Sequence, residues 1–433
     1  MRWRSTHRQR FISTHCAVSR LCRIPEEEPM SPAEDDEYFF KLAQESDDAA
    51  AVALSIHLQQ LQQLQPRELS DGTHVATSGA TTVATTGATE ATAAAGLSRL
   101  ASLRRGSARD SLLHYAGRLG RPRLLALLLA PPLGADPEAA NREHKRALHE
   151  AAAGGHGPCV RLLLRHGARV DSLKQADWTP LMMACTRAGS LDVVRELLAH
   201  GASLSVRNKD GWSALHVACR TGDSAVVGAL LDASPAAWDT CSSVGRTPLH
   251  TSAMHGNLEV TQMLLDRCAF VPDGRDSCGV TPFVDAVRHG HLDVARLLLE
   301  KHQSAVNATD AVGAQALHLA AVTCQLDALR FLVEELGVDV NVQDTRARLC
   351  AVHYAAKEGH VSAIETLRSL GADLHATDAK GRTALHVACA AQRAECVRAL
   401  RTAGLLNAED AEGRTPLSLA QKPPVVSAME EPS

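Results

Sequence analysis

Aromatic side chains are scarce in this 433-residue chain: they make up 3% of it, although 45% of the residues are hydrophobic. A globular core of this size usually contains more of them. Alanine and leucine must therefore fill the interior, and both are strong helix formers. This composition favours closely packed helices.

The chain also lacks features that would assign it to several large classes of protein. No run of about 18 uninterrupted apolar residues occurs, so we predict no membrane span. The twelve cysteines include no C-x-x-C pair, and Cys185, Cys219 and Cys389 lie in helical stretches as buried reduced thiols do, which indicates a reducing compartment. Walker A, G-x-S-x-G, H-E-x-x-H and G-x-G-x-x-G signatures are absent, so we predict neither an enzyme nor a cofactor.

Charge gives a further exclusion. The formal net charge is -4, whereas direct nucleic-acid binding usually needs a clustered basic face. Lysine is scarce among the basic residues, since only eight of the 45 are lysines. Chemistry at a primary amine therefore has few candidate positions.

The N-terminal region divides into two parts. Residues 1–37 are rich in arginine before the first acid, Glu26, and we predict a disordered extension, upstream of a possible start at Met30. The alternative is a mitochondrial transit peptide, which has a similar composition. Residues 38–65 have a helix–turn–helix rhythm and are predicted to form an N-terminal capping helical hairpin.

Residues 66–108 are low in complexity and consist largely of alanine, threonine and glycine. Few large apolar side chains occur there, so burial cannot offset the entropy lost on ordering. We predict a disordered insertion between the first two helical hairpins.

From about residue 110 an internal repeat determines the fold. An anchor residue recurs about every 34 residues, the ankyrin period. The anchors are Leu113, Leu148, Leu181, Leu215, Leu249, Phe283, Leu317, Val352, Leu385 and Leu417. Surrounding hexapeptides such as TPLMMA, TPLHTS and TALHVA are variants of T-P-L-H-x-A. The prediction is an all-α ankyrin-repeat solenoid of about nine to ten helix–turn–helix repeats over residues 109–422, closed by a half-repeat cap, with a disordered tail over 423–433.

One repeat, residues 245–266, shows how the pattern works. Thr247 can cap the first helix, and Pro248 fits its first turn. Gly256 can end that helix in a left-handed turn. The second helix then carries its apolar residues at helical spacing. A hairpin this small cannot bury both faces, so neighbouring repeats must stack on each other.

Histidine occupies one position in seven of the repeats. These residues are His114, His149, His216, His250, His318, His353 and His386. A metal site needs several ligands close together, whereas these lie one to a repeat. We predict that each ring bonds between a turn and a helix start. A second motif, His289-Gly290-His291, lies at a helix–helix turn, and we predict no metal site there either.

Two tryptophans depart from the repeat consensus. Trp178 and Trp212 lie three residues before an anchor, in the turn that precedes the first helix of a repeat, which we call the turn tip. Exposed aromatic residues are typical interface anchors, although each ring could instead lie over the next tip. Trp238 falls where other repeats have apolar residues and is predicted to pack in the core. Lys174 and Lys209 stand near Trp178 and Trp212 in the sequence.

Several stretches resemble one ankyrin family more closely than the consensus requires. QADWTPLMMACTR (175–187), RNKDGW (207–212), GRTPLHTSAMHGNLE (245–259), GHLDVARLLLE (290–300) and HYAAKEGH (353–360) are similar to the ankyrin repeat domain-containing protein sixteen family. The resemblance implies a monomeric, cytoplasmic and nuclear protein that binds the catalytic domain of alanyl-tRNA synthetase. It also implies capture of misactivated serine on lysine side chains, which protects translational fidelity.

The resemblance assigns particular residues to this function. The family's acceptor positions fall at Gln175, Lys209 and Asp239, so only Lys209 keeps the amine, and Lys174 could replace Gln175. Lys209 and Lys174 are thus the predicted acyl acceptors. The predicted partner-binding residues are Trp178, Trp212, Gln175 and Asp210. The alternatives are an ankyrin adaptor for an unrelated protein and an enzyme whose site the sequence does not reveal.

Overall fold

A computed structural model of the chain describes residues 40–44, 46–63, 103–302 and 304–431. The predicted N-terminal extension and residues 66–102 of the predicted insertion lie outside these ranges. The chain divides into two compact units, one ending at Asn208 and the other beginning at Lys209. Each unit is described by itself.

The first unit consists of helices joined by short turns. Residues 40–44 are helical. The helices that follow span Asp47–Gln63 (α1), Leu112–Arg118 (α2), Pro122–Leu129 (α3), Ala147–Gly154 (α4), Gly157–Arg165 (α5), Pro180–Cys185 (α6) and Leu191–Ala199 (α7), with a 3₁₀ turn at Gln175–Asp177.

The second unit has the same organisation over more repeats. Its helices span Ala214–Thr221 (α8), Ser224–Ala233 (α9), Pro248–Met254 (α10), Leu258–Arg267 (α11), Pro282–Arg288 (α12), Leu292–His302 (α13), Ala316–Val322 (α14), Leu326–Arg330 (α15, continued by a π-turn over Phe331–Glu335), Ala351–Glu358 (α16), Val361–Ser369 (α17), Ala384–Ala390 (α18), Ala394–Thr402 (α19), Pro416–Leu419 (α20) and Pro423–Glu430 (α21). Strands are absent from the described residues, and none of the described helices is long and apolar enough to cross a bilayer.

The predicted start and stop signals shape each repeat. The Thr247 hydroxyl accepts a hydrogen bond from the backbone N–H of His250 and so caps α10, while Pro248 occupies its first turn. Gly256 follows this helix with a φ of 70°, a left-handed conformation that glycine adopts at little cost. Thus α10 is followed at once by α11, and the two form one hairpin.

Stacking of successive hairpins builds the core. First helices pack on first helices, as α8 on α10 and α10 on α12, and second helices on second helices. The anchor residues from Leu113 to Leu385 are at most 3% exposed, whereas Leu417 is 37% exposed. Leu417 lies on α20, on which no further repeat stacks in the described part of the chain.

The recurring histidines link each of these repeats to the next. In the repeat of α10, the backbone N–H of Thr247 donates to His250 Nδ1, and His250 Nε2 lies 3.1 Å from the carbonyl oxygen of Val280 in the following turn tip. Because Nδ1 accepts, Nε2 carries the proton and donates. The other six rings contact the carbonyl oxygens of Lys145, Trp178, Arg246, Val342, Arg382 and Arg414. The structural role predicted for these histidines is confirmed.

The N-terminal helices pack against the repeat that follows the insertion. The Asp47 carboxylate accepts from the backbone N–H groups of Arg123 and Leu124 at the start of α3. The Arg121 guanidinium donates to the carbonyl oxygen of Ala43. The ring of Phe40 lies edge-on to Tyr115, with centroids 4.9 Å apart. These contacts dock the N-terminal helices on α2 and α3.

The predicted insertion extends too far. Residues 103–108 are ordered: Arg105 and Asp110 exchange two backbone hydrogen bonds of 2.8 and 2.9 Å, and Leu103 is buried. The carbonyl oxygen of Ala108 also accepts from the backbone N–H of Arg142 in the next turn tip. The sequence here is polar and resembles the insertion, but backbone pairing with a neighbouring tip orders it. The first-unit repeats therefore begin by residue 103.

The predicted disordered tail is also wrong over 423–430, which forms α21. Pro423 and Pro424 occupy the first turn of this helix, where the missing N–H groups cost nothing. They begin a helix and do not stop one. Val425 and Met429 are buried against α19. The last described repeat therefore has both of its helices.

The histidine links predict acid sensitivity. Burial lowers the pKa of His149 to about 4 and that of His250 to about 4, from an ordinary value of 6.5. Below pH 6.5 the unfolded chain takes up protons that these buried rings do not, so their contribution is complete above pH 6.5 and lost progressively as the pH falls towards 4. We expect urea unfolding to show up to about 3 kcal/mol lost for each ring over this range.

A variant separates this effect from general acid denaturation. His250→Ala should unfold more easily at neutral pH and show a weaker loss between pH 6.5 and 4. The exposed His375 supplies the control, since His375→Ala should keep the full pH dependence. An unchanged acid profile in His250→Ala would show that the carboxylates alone set it.

The C-terminal helix gives a second stability prediction. Val425 is 1% exposed, whereas its neighbour Val426 is half-buried. Val425→Ala should lower the free energy of unfolding by roughly 1 to 3 kcal/mol because it leaves a cavity against α19. Val426→Ala, the same change at a less buried position, should cost clearly less in the same urea titration. Equal losses would mean that α21 is not packed as described.

Candidate protein-binding site

The turn tip before α6 holds Lys174 and Trp178 against each other. The backbone N–H of Lys174 donates to the carbonyl oxygen of Trp178 at 3.0 Å, which closes a tight turn. Between them, Ala176 and Asp177 have φ values of 64° and 61°. The same turn places Lys174 Nζ 5.4 Å from the centroid of the Trp178 ring, within cation–π range.

Lys174 is half-buried, and this changes the protonation of its amine. Burial lowers its pKa, and the neighbouring charge of Lys145 lowers it further, while Glu143 and Glu150 oppose the shift. Among the described residues, no carboxylate lies within ion-pair distance of Lys174 Nζ. More of this amine is therefore neutral at a given pH than for a fully exposed lysine.

Lys145 shows the opposite behaviour. Its Nζ lies 2.9 Å from a carboxylate oxygen of Glu143 and 3.6 Å from one of Glu150. Burial works against the charged amine, but the Glu143 hydrogen bond and the charge of Glu150 prevail, and the pKa of Lys145 is raised. The carboxylates thus keep Lys145 protonated, and it acts as a fixed positive charge beside Lys174.

A charged network on α2 and α4 supports this arrangement, and sequence reasoning missed it. The Arg118 guanidinium donates to Glu150 at 3.0 and 2.8 Å and to Asp110 at 2.7 Å. Glu150 is 7% exposed, so its position is fixed by these bonds. The available signal was the charged Glu150 in the variable position of the hexapeptide RALHEA, residues 146–151.

Gln175 occupies a family acceptor position in the same tip. Its side chain is exposed, while its backbone N–H donates to the carbonyl oxygen of Glu143 in the preceding tip at 2.9 Å. An amide nitrogen is a poor nucleophile because its lone pair is delocalised. Gln175 can therefore offer hydrogen bonds to a partner but cannot take up an acyl group.

In the second unit, the turn tip before α8 presents Lys209 and Asp210 as exposed residues. The carbonyl oxygen of Asp210 accepts from the backbone N–H of Ser243 in the next tip at 2.9 Å. Gly211 has a φ of 76°, and a Cβ at this position would lie 2.4 Å from the Ser243 nitrogen. Only glycine fits, and this close approach fixes the tip that carries Lys209.

Trp212 lies half-buried beside this tip. Its ring centroid is 6.1 Å from that of His216, and Arg220 Cζ lies 6.0 Å from it. Both predicted interface tryptophans are thus half-buried residues whose rings lie beside a cation. This geometry leaves part of each ring open to a partner.

Two neighbouring residues have other roles. Trp238 is half-buried and is not one of the buried core residues, so the prediction that it packs in the core is wrong. Its ring packs instead edge-on to Phe270, with centroids 4.9 Å apart. Asp239, at the third family acceptor position, is exposed. Its carboxylate is not a nucleophilic amine, so no acyl transfer to this position follows.

Histidine and cysteine offer no further reactive cluster. No group of three potential metal ligands occurs in the described ranges. Cys185, Cys219 and Cys389 are buried as predicted. Burial raises the pKa of the Cys389 thiol to about 12, which keeps it protonated and unreactive.

Comparison with known proteins finds short similarities in curated relatives. The chain is 36% identical over 78 residues to human protein phosphatase 1 regulatory subunit 27, which covers 18% of this chain and 44% of that protein. It is 41% identical over 73 residues to rat cortactin-binding protein 2, covering 17% of this chain and 4% of that protein. The chain therefore spans less than half the length of these relatives.

Among solved structures, the ankyrin repeat domain of Bcl-3 is similar, with a TM-score of 0.41 and 25% identity over 51% of this chain and 99% of that one. Residues 113–208, 189–273, 268–344 and 352–425 match the family described as ankyrin repeats (3 copies). These matches cover most of the chain, from α2 to the first residues of α21. The chain belongs to the ankyrin-repeat family, whose repeats serve as protein-binding scaffolds.

Proposed function

We propose that this scaffold binds the catalytic domain of alanyl-tRNA synthetase and takes misactivated serine onto its lysines, which keeps serine off alanine tRNA. The observation that carries the proposal is the half-buried Lys174, whose amine lies against the Trp178 ring. The similarity of QADWTPLMMACTR and RNKDGW to the ankyrin repeat domain-containing protein sixteen family supports the choice of partner. The proposal assigns the chain to the cytoplasm and nucleus as a monomer.

Such a protein compensates for the limited ability of the synthetase to distinguish serine from alanine. Serine differs from alanine by one hydroxyl group, and a small apolar pocket rejects such an analogue only by roughly a hundredfold. The synthetase therefore forms some seryl adenylate. A second protein that removes this product lowers the error without altering the first pocket.

The capture step is an acyl transfer to a neutral amine. The lone pair of the lysine Nζ attacks the carbonyl carbon of the seryl adenylate, the bond to the phosphate oxygen breaks, and AMP leaves with the electron pair. The amine proton passes to solvent, and an amide remains. Arginine cannot replace lysine here because its guanidinium stays protonated.

The two proposed acceptors differ in their surroundings. Lys209 is exposed and occupies a family acceptor position, whereas the pKa of Lys174 is lowered by burial and by Lys145. Docking of the synthetase raises the effective concentration of the electrophile at either amine. The environment of Lys174 favours it as the more reactive of the two, which reverses the order suggested by family position alone.

An adaptor for a different protein is the alternative, and the match to a protein phosphatase 1 regulatory subunit is the observation that favours it. A pull-down with the full chain as bait separates the two. Purified alanyl-tRNA synthetase catalytic domain should be retained, and the phosphatase catalytic subunit should not. Retention of the phosphatase alone would support the alternative.

The tryptophans give a test of binding. Trp178→Ala and Trp212→Ala should each weaken synthetase binding by roughly 1 to 3 kcal/mol in calorimetry and leave the melting temperature nearly unchanged, as half-exposed anchors do. Trp238→Ala is the matched control: its ring packs on Phe270, so it should lower the melting temperature and keep the affinity. The reverse pattern would make Trp178 and Trp212 structural residues.

The lysines give a test of chemistry. With synthetase, ATP and serine present, mass spectrometry should find seryl groups on Lys174 and Lys209, with Lys174 labelled at least as heavily. Omission of the synthetase should abolish the labelling. Lys301, which forms an ion pair with Asp266 at 2.8 Å, should stay unmodified.

Substitution then separates capture from binding. The double change of Lys174→Arg and Lys209→Arg keeps both charges, so synthetase binding should persist while acceptor activity is lost. Lys301→Arg should change neither. If the double variant still suppresses serine mischarging fully, binding alone explains the protection and the capture step is wrong.

A further inference from the structure

A row of positively charged and titratable side chains follows the ends of three neighbouring first helices in the second unit. Arg220 lies in the last turn of α8, His255 follows α10, and Arg288 and His289 end α12. His291 lies in the turn after α12. We call these five side chains the cationic edge.

Contacts between the three turns make this edge continuous. The Asn257 side chain, in the turn after α10, donates to the carbonyl oxygen of Arg220 at 3.1 Å. The His291 ring lies so close to Gly256 that a Cβ there would be 2.4 Å from its Nδ1. The rings of His289 and His291 are stacked, with centroids 6.5 Å apart and planes 9° apart.

The negative charges packed against this edge are buried and lie beside Arg246. Arg246 lies 3.2 Å from a carboxylate oxygen of Asp276 and 3.5 Å from one of Asp285. Asp276 is 7% exposed and Asp285 is 0% exposed. In the described part of the second unit, no side chain of the cationic edge lies within ion-pair distance of a carboxylate.

The histidines report the resulting positive potential. Burial lowers the pKa of His255, and the charges of Arg220, His289, His291 and Arg246 lower it further. Burial likewise lowers the pKa of His289, which also feels Arg288, His291 and Arg246. The pKa of His255 is lowered by desolvation and by neighbouring cations alone. An added anion would therefore raise the pKa of both rings.

Arg288 contributes an unused donor. Its Nε is buried and has no hydrogen-bond acceptor among the described residues. A buried donor left unpaired costs free energy, which a shift of the Arg288 side chain towards an incoming acceptor would recover. At the other end, Arg220 lies beside the half-buried ring of Trp212, so the edge is continuous with a predicted partner-binding residue.

We propose that the cationic edge binds an acidic segment of a protein partner, with carboxylates accepting hydrogen bonds from Arg220 and Arg288. Neighbouring packed helices lie about 10 Å apart, and an extended chain covers that distance with about three residues. A carboxylate at every third residue therefore matches successive repeats. The inference concerns the second unit alone and does not depend on the partner proposed above.

The test uses the full chain and a fluorescein-labelled peptide, (Glu-Gly-Gly)4, with (Gln-Gly-Gly)4 as its uncharged control. Fluorescence polarisation should show saturable binding of the glutamate peptide at low salt. The binding should be lost near 0.5 M salt, where the electrostatic screening length is about 4 Å. The glutamine peptide should not bind. Equal binding of the two peptides would overturn the proposal.

Substitutions locate the binding. Arg220→Gln and Arg288→Gln should each weaken the glutamate peptide roughly tenfold, as expected for loss of a charge-assisted hydrogen bond. Arg368→Gln removes the same charge from an exposed position on α17 and should have no effect. Circular dichroism identifies any variant that fails to fold. If Arg288→Gln does not fold, Arg220→Gln still decides the test, because Arg220 is exposed. Equal losses in Arg220→Gln and Arg368→Gln would reject the site.

The histidines add a pH readout. A bound carboxylate raises the pKa of His255 and His289, so binding takes up protons and the dissociation constant should fall as the pH drops from 7.5 to 6. Burial raises the pKa of Asp285 to about 6, so its protonation acts in the same direction. Asp276 and Arg246, 3.2 Å apart, are the other charged groups packed against the edge. The double variant His255→Gln with His289→Gln should keep the affinity at pH 7.5 and lose most of the tighter binding at pH 6.

A single-stranded oligonucleotide tests the other class of ligand. Tighter binding of the oligonucleotide than of the peptide would assign the edge to nucleic acid instead.

Discussion

One hydrogen-bonded link, from a buried histidine to the following turn tip, holds the repeats of each unit in register. In α10, His250 accepts from the start of its own helix and donates to the carbonyl oxygen of Val280. The ring is 1% exposed, so both bonds lie in a low-dielectric interior where breaking them is costly. The link joins residues 30 positions apart along the chain, and it is available only to a neutral imidazole, which has one donor and one acceptor nitrogen.

The repeat of α12 departs from this rule. Val284 stands where the histidine would be, and the next residue, Asp285, places a carboxylate in the interior without a hydrogen bond among the described residues. Its nearest cation, Arg246, lies 3.5 Å away. Stability here rests on other contacts, such as the backbone bond from Ala311 to the carbonyl oxygen of Cys278 in the preceding tip. Asp285 is a residue that folding does not require, and it lies close to the cationic edge. Such departures from the repeat pattern are expected at recognition sites.

Because the turn tips are fixed in register, a repeat without a deep pocket can still hold reactive side chains in defined positions. Lys174 lies over Trp178 because one backbone hydrogen bond closes the turn between them. The neighbouring Lys145 keeps its charge because Glu143 and Glu150 pair with it. Two lysines of the same tip region thus differ in protonation for reasons that lie in their neighbours, and a docking partner can exploit that difference.

The sequence by itself determined the repeat, the helix starts and stops, the buried anchors and the role of the histidines, because each depends on residues within one repeat and on its period. The sequence wrongly predicted disorder at residues 103–108 and 423–430. Whether the polar turn and the proline pair there are ordered depends on the residues that pack against them. The contacts of Arg118 with Glu150, of Arg220 with Trp212 and of His291 with Gly256 were decided by the tertiary structure alone. The first and the last of these contacts join residues about one repeat apart, and only stacking brings such residues together.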